Sequence, residues 1–449
     1  MGRTIRRARS RRRAAGGGVC IESDNFARVQ QALARSQTAA AHPWAFFARA
    51  AVRRNRSQPV LSALTGKFPP AVLALADGSV FIGQSIGAPG SATGEVVFNT
   101  ATMGYQEILT DPGACQQIVA LTTAHVGNTG VNDEDMESAK VQAAGLVIRN
   151  LPLVASNFRS QQPLQQWLRA QGVVAIAEID TRRLTRVLRA SGAQAGAIVA
   201  LASGQGVEQK HIDEALAAAR AVPPMQGQDL VQRVSCTKPS EWQGGAWQLD
   251  AGYGAAPEPR FRVAAYDFGA KRCALRMLAQ RGCAVTLLPA NTPAAQVLAM
   301  KPDGVFFSGG PGDPQACGYA IDAAREILAS GIPAFGIDLG HAVMALAAGA
   351  RTFKMKCGHH GGNHPVKELA TGRVSITGQN HSFAVDVQSL PRGVRTTHVS
   401  LFDGTVQGLE WADKPAHSFQ GQPKGSPGLR DMDDFFDRFV KNMAAAQAA

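Results

Sequence analysis

Apolar residues fall along this chain in two rhythms. Between residues 71 and 215, short apolar runs are separated by turn residues. Ala71-Val-Leu-Ala-Leu-Ala-Asp-Gly78 followed by Ser79-Val-Phe-Ile82 predicts a hairpin through Asp77-Gly78. Glu95–Phe98, Gln117–Leu121 and Val174–Ala177 predict further strands, and a helix is expected over about Asp180 to Arg189, with Thr181 near its start. From Phe261 onward strand and helix alternate: Val263–Tyr266 then Lys271–Gln280, Ala284–Leu288 then Pro293–Met300, Val305–Phe307 then Tyr319–Ala329, Ile332–Phe335 then Leu339–Ala348. That order predicts a mostly parallel, doubly wound α/β sheet with helices on both faces. Ligands in such sheets bind beyond the carboxyl ends of the strands. Residues 222–260, with scattered Pro, Gly and Trp and no sustained period, read as a linker.

Composition changes this picture only at the amino terminus. The 449 residues are 45% hydrophobic and 18% charged, enough chain for two ordinary domains with a large core. There is no run of about 18 apolar residues, so no membrane-spanning helix is expected. The net charge of +12 sits in residues 1–70, where thirteen Arg and Lys67 face only Glu22 and Asp24. The rest of the chain is balanced, which argues against a nucleic-acid-binding body. Residues 1–67 are therefore expected to be a disordered basic extension. Three readings of it stand side by side: an organelle transit segment, a basic arm for nucleic acid or anionic lipid, or an unstructured extension, which includes a start codon assigned too far upstream. The seven cysteines, 20, 115, 236, 273, 283, 317 and 357, form no C-x-x-C pair, which fits reduced thiols in the cytoplasm.

Two glycine-containing turns lie at strand carboxyl ends: Ser308-Gly-Gly-Pro-Gly-Asp-Pro314 and Gly336-Ile-Asp-Leu-Gly-His-Ala342. The second is a strand-turn-helix elbow, where hydrolases present a nucleophile. Further segments join them: Phe98-Asn-Thr, Gly104-Tyr-Gln-Glu-Ile-Leu-Thr-Asp-Pro112, Gly145-Leu-Val-Ile-Arg149, Ala155-Ser-Asn-Phe158, Ile179-Asp-Thr-Arg182, Tyr266-Asp-Phe-Gly269, Gly358-His-His-Gly-Gly-Asn-His-Pro365, Gln379-Asn-His381 and Ser400-Leu-Phe-Asp-Gly404. In this order, over roughly 68–440, the chain resembles the carbamoyl phosphate synthetase small subunit. The resemblance implies an amino-terminal mixed α/β domain of the small-subunit type over 68–215, a linker over 216–260, and a class I glutamine amidotransferase domain over 261–449. It also implies a large-subunit partner, with ATP and Mg on that subunit and no cofactor in this chain. In the family, ammonia released from glutamine passes through a tunnel to the large subunit, for carbamoyl phosphate synthesis serving arginine and pyrimidine pathways.

Amide hydrolysis of this kind needs a thiolate, a histidine oriented by a carboxylate, and backbone N–H groups for the oxyanion. The family pattern places Cys at the elbow, and His and Glu after a Phe-Gln pair. Here those positions are Asp338, Gln422 and Lys424. A carboxylate is a poor nucleophile toward an amide, and Gln422 has no titratable group, so glutamine hydrolysis is not expected. The implied glutamine pocket comprises Gly113, Gly310, Gly312, Leu339, Ala342, Asn380, Ser382 and Phe383. Of these, Gly113, Ala342 and Ser382 depart from the pattern, as does Gly309, which makes glutamine binding doubtful. Gly310 and Leu339 match the oxyanion-hole amides. Asp338 stands at a helix N-cap, where its carboxylate is expected to accept amide hydrogen bonds from the helix start and to occupy those amides. Pairing of Lys424 with Asp338 and a Lys424 in solvent remain equal alternatives.

His359, His360 and His364 raise a metal reading, with loop packing as the default. His341 reads as a structural hydrogen-bonder. His381 and His398 could substitute as a base, but the sequence does not place them near Asp338. Three functions stay open: a non-hydrolytic synthetase subunit, an active glutaminase with a substitute nucleophile, and a regulatory or binding module detached from the synthetase.

Overall fold

Alternate residues of the strand Pro70–Leu75 (β1) point into two different cores. Ala71, Leu73 and Leu75 pack with Val96, Ile118, Val147, Ile176 and Ile198, while Val72 and Ala74 pack against the helix Gln209–Ala221. That period of two is what a strand buried on both faces produces. A computed structural model describes residues 68–423 and 432–448. The basic extension expected over 1–67, and Lys424, lie outside the described residues.

β1 is followed by Val80–Ser85 (β2), Gly90–Asn99 (β3), Gln117–Leu121 (β4), Gly145–Val147 (β5), Val174–Ala177 (β6) and Gln194–Ala200 (β7). They close a barrel in the order β1-β2-β6-β5-β4-β3-β7. β3 to β6 run parallel along the β3-β4-β5-β6 edge and the other pairings are antiparallel. Closure removes exposed strand edges. The hairpin through Asp77-Gly78 pairs Ala74 with Val80. The helix Thr181–Ser191 starts at Asp180, whose side chain accepts from the Arg183 N–H at 2.8 Å, and plugs the barrel core with Leu184 and Leu188.

The stretch 222–260 is not structureless. The helix begun at Gln209 runs on to Ala221, past the expected boundary at 215. Ser240–Glu241 (β8) pairs with the edge of the second sheet, and Gly244–Gln248 (β9) and Gly252–Ala255 (β10) make a two-stranded ribbon. Tyr253 in that ribbon stacks on Arg276, which is a tertiary contact that no local period reports.

The second sheet contains Phe261–Asp267 (β11), Cys283–Pro289 (β12), Gly304–Phe307 (β13), Ala334–Ile337 (β14), Thr352–Glu368 (β15), Val374–Val385 (β16), Val394–Ser400 (β17), Val406–Trp411 (β18) and Ala416–Phe419 (β19). Its order is β16-β15-β17-β18-β19-β14-β13-β11-β12-β8. The five strands β19, β14, β13, β11 and β12 are parallel. Ala264, Tyr266, Val305 and Phe307 face a core with the helices Gly318–Ser330 and Leu339–Ala347. Val263, Ala265 and Phe306 face another with Arg272–Gln280 and Asp433–Ala448. The sheet is doubly wound, as the alternation predicts. Both cores are fully buried hydrocarbon, the main stabilising term at about 25 cal/mol per Å².

The barrel docks on the β15–β16 side. Thr100 N–H bonds the His360 carbonyl at 3.2 Å, Ala193 N–H bonds that of Lys356 at 2.9 Å, and Lys354 pairs with the largely buried Glu95 at 2.6 Å. Glu137 of the barrel domain accepts from the Cys273 N–H at 2.9 Å. Among the described residues no helix is long and apolar enough to cross a membrane.

Candidate functional site

Because β11, β13, β14 and β19 are adjacent and parallel, the turns after them meet at one end of the sheet. The turn after β13 contributes Gly310 and Gly312, the elbow after β14 contributes Asp338, the turn after β11 contributes Lys271, and the segment after β19 contributes Gln420 and Gln422. Asp111 and Gly113 come from the barrel, in the loop leading into the 3-10 turn Pro112–Ala114. Asn380, His381, Ser382 and Phe383 come from β16.

Asp338 holds φ +50°, ψ −112°, a conformation unfavourable for a residue with a Cβ. Such an elbow is enforced by packing. Gly340, two residues on, lies so close to β13 that a Cβ there would sit 2.2 Å from the Phe307 carbonyl oxygen, and one on Gly336 would meet the Met344 sulfur at 2.5 Å. The elbow corrects one expectation. Asp338 occupies the N-cap position, yet its side chain makes no capping hydrogen bond to its own helix. Its backbone angles turn the carboxylate across to the neighbouring turns instead. Oδ2 accepts from the Gly310 N–H at 3.3 Å and from Gln422 Nε2 at 2.5 Å, and Oδ1 accepts from Gln420 Nε2 at 3.4 Å.

Asp338 is 1% exposed. Burial raises its pKa to about 7. The Gln422 bond opposes that, the Asp111 carboxylate adds to it, and the Gly310 and Leu339 N–H groups oppose it. These two amides are the ones expected to form an oxyanion hole, and both act on the Asp338 carboxyl.

All eight expected pocket residues, Gly113, Gly310, Gly312, Leu339, Ala342, Asn380, Ser382 and Phe383, line one small cavity with Asp338. Its volume is about 30 Å³, far below the roughly 300 Å³ at which small-molecule pockets begin. Sequence reasoning missed Gln117, Gln420 and Lys271 here, and named His381 only as a possible base without a place in the pocket. Gln117, Gln420 and His381 line the same cavity. Lys271 lies beside it, 3.7 Å from Asp111 and 3.5 Å from Gln422 Oε1. Burial works against the Lys271 ammonium, but Asp111, Cys273, Glu137 and Glu107 outweigh it and hold the pKa above the ordinary lysine value. Lys271 could have been noticed from its place at a strand carboxyl end, in the same kind of turn as Asp338.

A larger cavity of about 310 Å³ opens on the other side of Gln422, between the barrel loops and the sheet. Glu107, Asp111, Glu137 and Lys271 line it. Burial raises the Glu107 carboxyl to about 7.

Among the described residues no substitute thiol is poised for attack. Cys273 Sγ donates to the Pro423 carbonyl at 3.4 Å. Burial, then the Glu137 carboxylate, push its pKa well above that of an ordinary thiol. Cys317 is pushed to about 12 by burial and by Asp229, and Cys357 donates to the Leu188 carbonyl. A neutral thiol is a poor nucleophile.

The histidines divide by contact. His341 Nδ1 bonds Ser418 Oγ at 2.9 Å inside the core. His359 bonds Asp403 at 2.9 Å, His360 bonds Asn380 at 2.8 Å, and the His359 ring packs on His364 and His381. Among the described residues no group of three His, Cys, Asp or Glu side chains is arranged to hold a metal. His398 packs on Phe419 and Phe435, away from the cavity.

Two family profiles match this chain. Carbamoyl-phosphate synthase small chain, CPSase domain, covers residues 73–198, and glutamine amidotransferase class-I covers 264–442. A carbamoyl phosphate synthase small chain from Rubrivivax gelatinosus is 63% identical over 375 residues, 84% of this chain and 98% of its own length. One from Polynucleobacter asymbioticus is 59% identical over 394 residues, 86% of this chain and 99% of its own. The chain belongs to the carbamoyl phosphate synthase small chain family. A glutamine amidotransferase of known structure from Thermotoga maritima aligns at 18% identity and TM-score 0.31, over 42% of this chain and 86% of that one. Within the small-chain frame, Asp338 and Gln422, expected at the nucleophile and histidine positions, are in direct contact, while Lys424, expected at the glutamate position, lies outside the described residues.

Proposed function

We propose that this small chain joins a carbamoyl phosphate synthetase large subunit without hydrolysing glutamine, in carbamoyl phosphate supply to arginine and pyrimidine synthesis. Nitrogen then comes from free ammonia, and ATP and Mg act on the large subunit. The observation that carries this reading is the Asp338 carboxyl itself. It accepts the Gly310 N–H and is held by Gln422 Nε2 at 2.5 Å, so an intrinsic side chain engages a donor that an oxyanion would need.

The chemistry agrees with it. A tetrahedral intermediate needs an attacking atom and a proton acceptor. Asp338 is a weak nucleophile toward an unactivated amide, and below about pH 7 it is protonated. Gln422 has no proton to exchange in the working pH range. His381 lines the cavity, but its Nδ1 is held by the Phe383 carbonyl at 2.8 Å and no carboxylate orients it.

The test is ammonia release from glutamine by the purified chain, with and without large subunit, beside synthesis driven by ammonium chloride. No release above background, together with ammonia-driven synthesis in the complex, is expected. Glutamine turnover at rates that match synthesis refutes the reading. Failure to co-purify with a large subunit favours a detached binding module instead.

A further inference from the structure

The small cavity beside Asp338 has an unbalanced wall. Four of its donors are engaged within the protein: Asn380 Nδ2 bonds Asp111 at 3.3 Å, the Gly113 N–H bonds Asp111 at 2.9 Å, Ser382 Oγ bonds Glu95 at 3.4 Å, and Gln420 Nε2 bonds Asp338 at 3.4 Å. Three of its acceptors are not: Gln117 Oε1, Gln420 Oε1 and His381 Nε2 are buried and have no hydrogen-bond partner among the described residues. The three residues are 5%, 1% and 7% exposed, and all line this cavity.

The His381 tautomer follows from its other contact. A carbonyl only accepts, so the 2.8 Å bond to Phe383 O places the proton on Nδ1. Burial holds the ring neutral, which leaves Nε2 as a lone pair. Three residues with orphan acceptors thus share a cavity wall with a carboxyl group that makes no ion pair among the described residues. An unsatisfied buried acceptor costs about 1–3 kcal/mol, so a guest that donates is favoured.

The guest is bounded in size and chemistry. About 30 Å³ admits one or two water-sized particles, since roughly 10–15 Å³ suffices for one. Water brings two donors. Ammonium brings four, of similar size, with the charge that answers Asp338 once that carboxyl ionises. Potassium matches in size and charge, but it is a hard cation and takes oxygen in preference to an imidazole nitrogen.

We propose that the cavity formed by Asp338, Gln117, Gln420 and His381 is a binding site for one ammonium ion. The proposal rests on the reading that this site does not process glutamine, because a bound glutamine would claim the same space. Gln117 belongs to the barrel and the other three to the sheet domain, so the ion clasps the two domains and its binding raises thermal stability.

The experiment follows the unfolding of the full chain by calorimetry in NH4Cl, KCl and NaCl at equal ionic strength and about pH 8, above the range in which Asp338 holds its proton. A saturable Tm rise of about 2–4 °C in ammonium alone is expected, and its loss in Asp338→Asn. Because that variant could fold poorly, [15N]ammonium NMR on the wild-type chain provides a second readout, in which a bound ion shows slowed proton exchange that excess unlabelled ammonium displaces. Equal shifts in potassium overturn the proposal, as does an ammonium shift that survives in Asp338→Asn. Absence of any shift in the wild type that appears in Lys424→Ala also overturns it, since the lysine amine then fills the role. The glutaminase assay on the same preparation is independent: turnover with an ammonium-specific shift refutes the functional reading alone, and neither signal refutes the ion site alone.

Discussion

Replacing Asp338 by Asn should change the pH dependence of stability more than any other single substitution at this site. The carboxyl is fully buried, and burial, only partly offset by the Gln422 amide, moves its pKa from 3.8 to about 7. In the unfolded chain it ionises near its ordinary value. Between about pH 4 and 7 the native state therefore holds a proton that the unfolded state has released. Stability falls as pH rises through that window and levels off above about 7. The gap corresponds to about 4 kcal/mol at ~1.4 kcal/mol per tenfold in acidity. Asn keeps the shape and one acceptor oxygen, which can take the Gly310 and Gln422 donors, and its amide can face the unpartnered Gln420 Oε1. The assay is urea unfolding of both chains from pH 5 to 8.5 in sodium buffer free of ammonium. Other titrating groups, Glu107 among them, are common to both chains and cancel in the difference. The variant should gain on the wild type steadily up to about pH 7 and keep a constant lead above it. A difference that stays flat across the whole range would show that Asp338 does not ionise in this window.

Asp338→Cys alone should give no glutamine turnover, because Gln422 still offers no base. Adding Gln422→His and Lys424→Glu should bring measurable ammonia release with a high KM, read by a coupled ammonia assay. Gly340→Ala should destabilise the chain by about 1–3 kcal/mol in urea despite the better helix propensity, since its Cβ would sit 2.2 Å from a backbone oxygen. Lys354→Met leaves Glu95 without its cation at the barrel–sheet contact, 10% exposed on its side chain, and should cost about 1–3 kcal/mol by the same measurement.

Several of the strands legible in the sequence are fully buried ones. Val305–Phe307 and Val174–Ala177 are short apolar runs with one structural solution, and the structure has them as strands. The strand expected from Ile332 begins later, at Ala334, because Pro333 has no N–H for a ladder. β15 and β16 were invisible to periodicity. Gly358, Gly361 and three histidines interrupt any alternation, and the pairing itself shifts register between Lys354 and His359 and again between Gly361 and His364. The cavity shows the same division. Residues in glycine-bearing turns could be named from the chain alone. Gln117 and Gln420 could not, and His381 could be named as a base but not placed, because a polar residue in or beside a strand reads as solvent-facing until the docking of barrel on sheet encloses it.

On the proposed reading, that division explains how a site can keep its shape without glutaminase chemistry. Gly310 cannot carry a Cβ, which would sit 2.1 Å from the Phe268 carbonyl oxygen, and Gly340 is pressed equally hard against β13. These contacts belong to the core around Tyr266, Phe268 and Phe307, so changing them destabilises the fold whatever happens to glutamine. Asp338, Gln422 and Ala342 are held to no such standard. The Asp338 and Ala342 side chains end in the small cavity and Gln422 ends on Asp338, so a substitution there meets no backbone wall of this kind. The elbow persists because packing demands it. Once the thiol is absent, the residue at its apex is selected by how well it satisfies the donors that remain, and a carboxyl accepting from Gly310, Gln420 and Gln422 does so with three bonds.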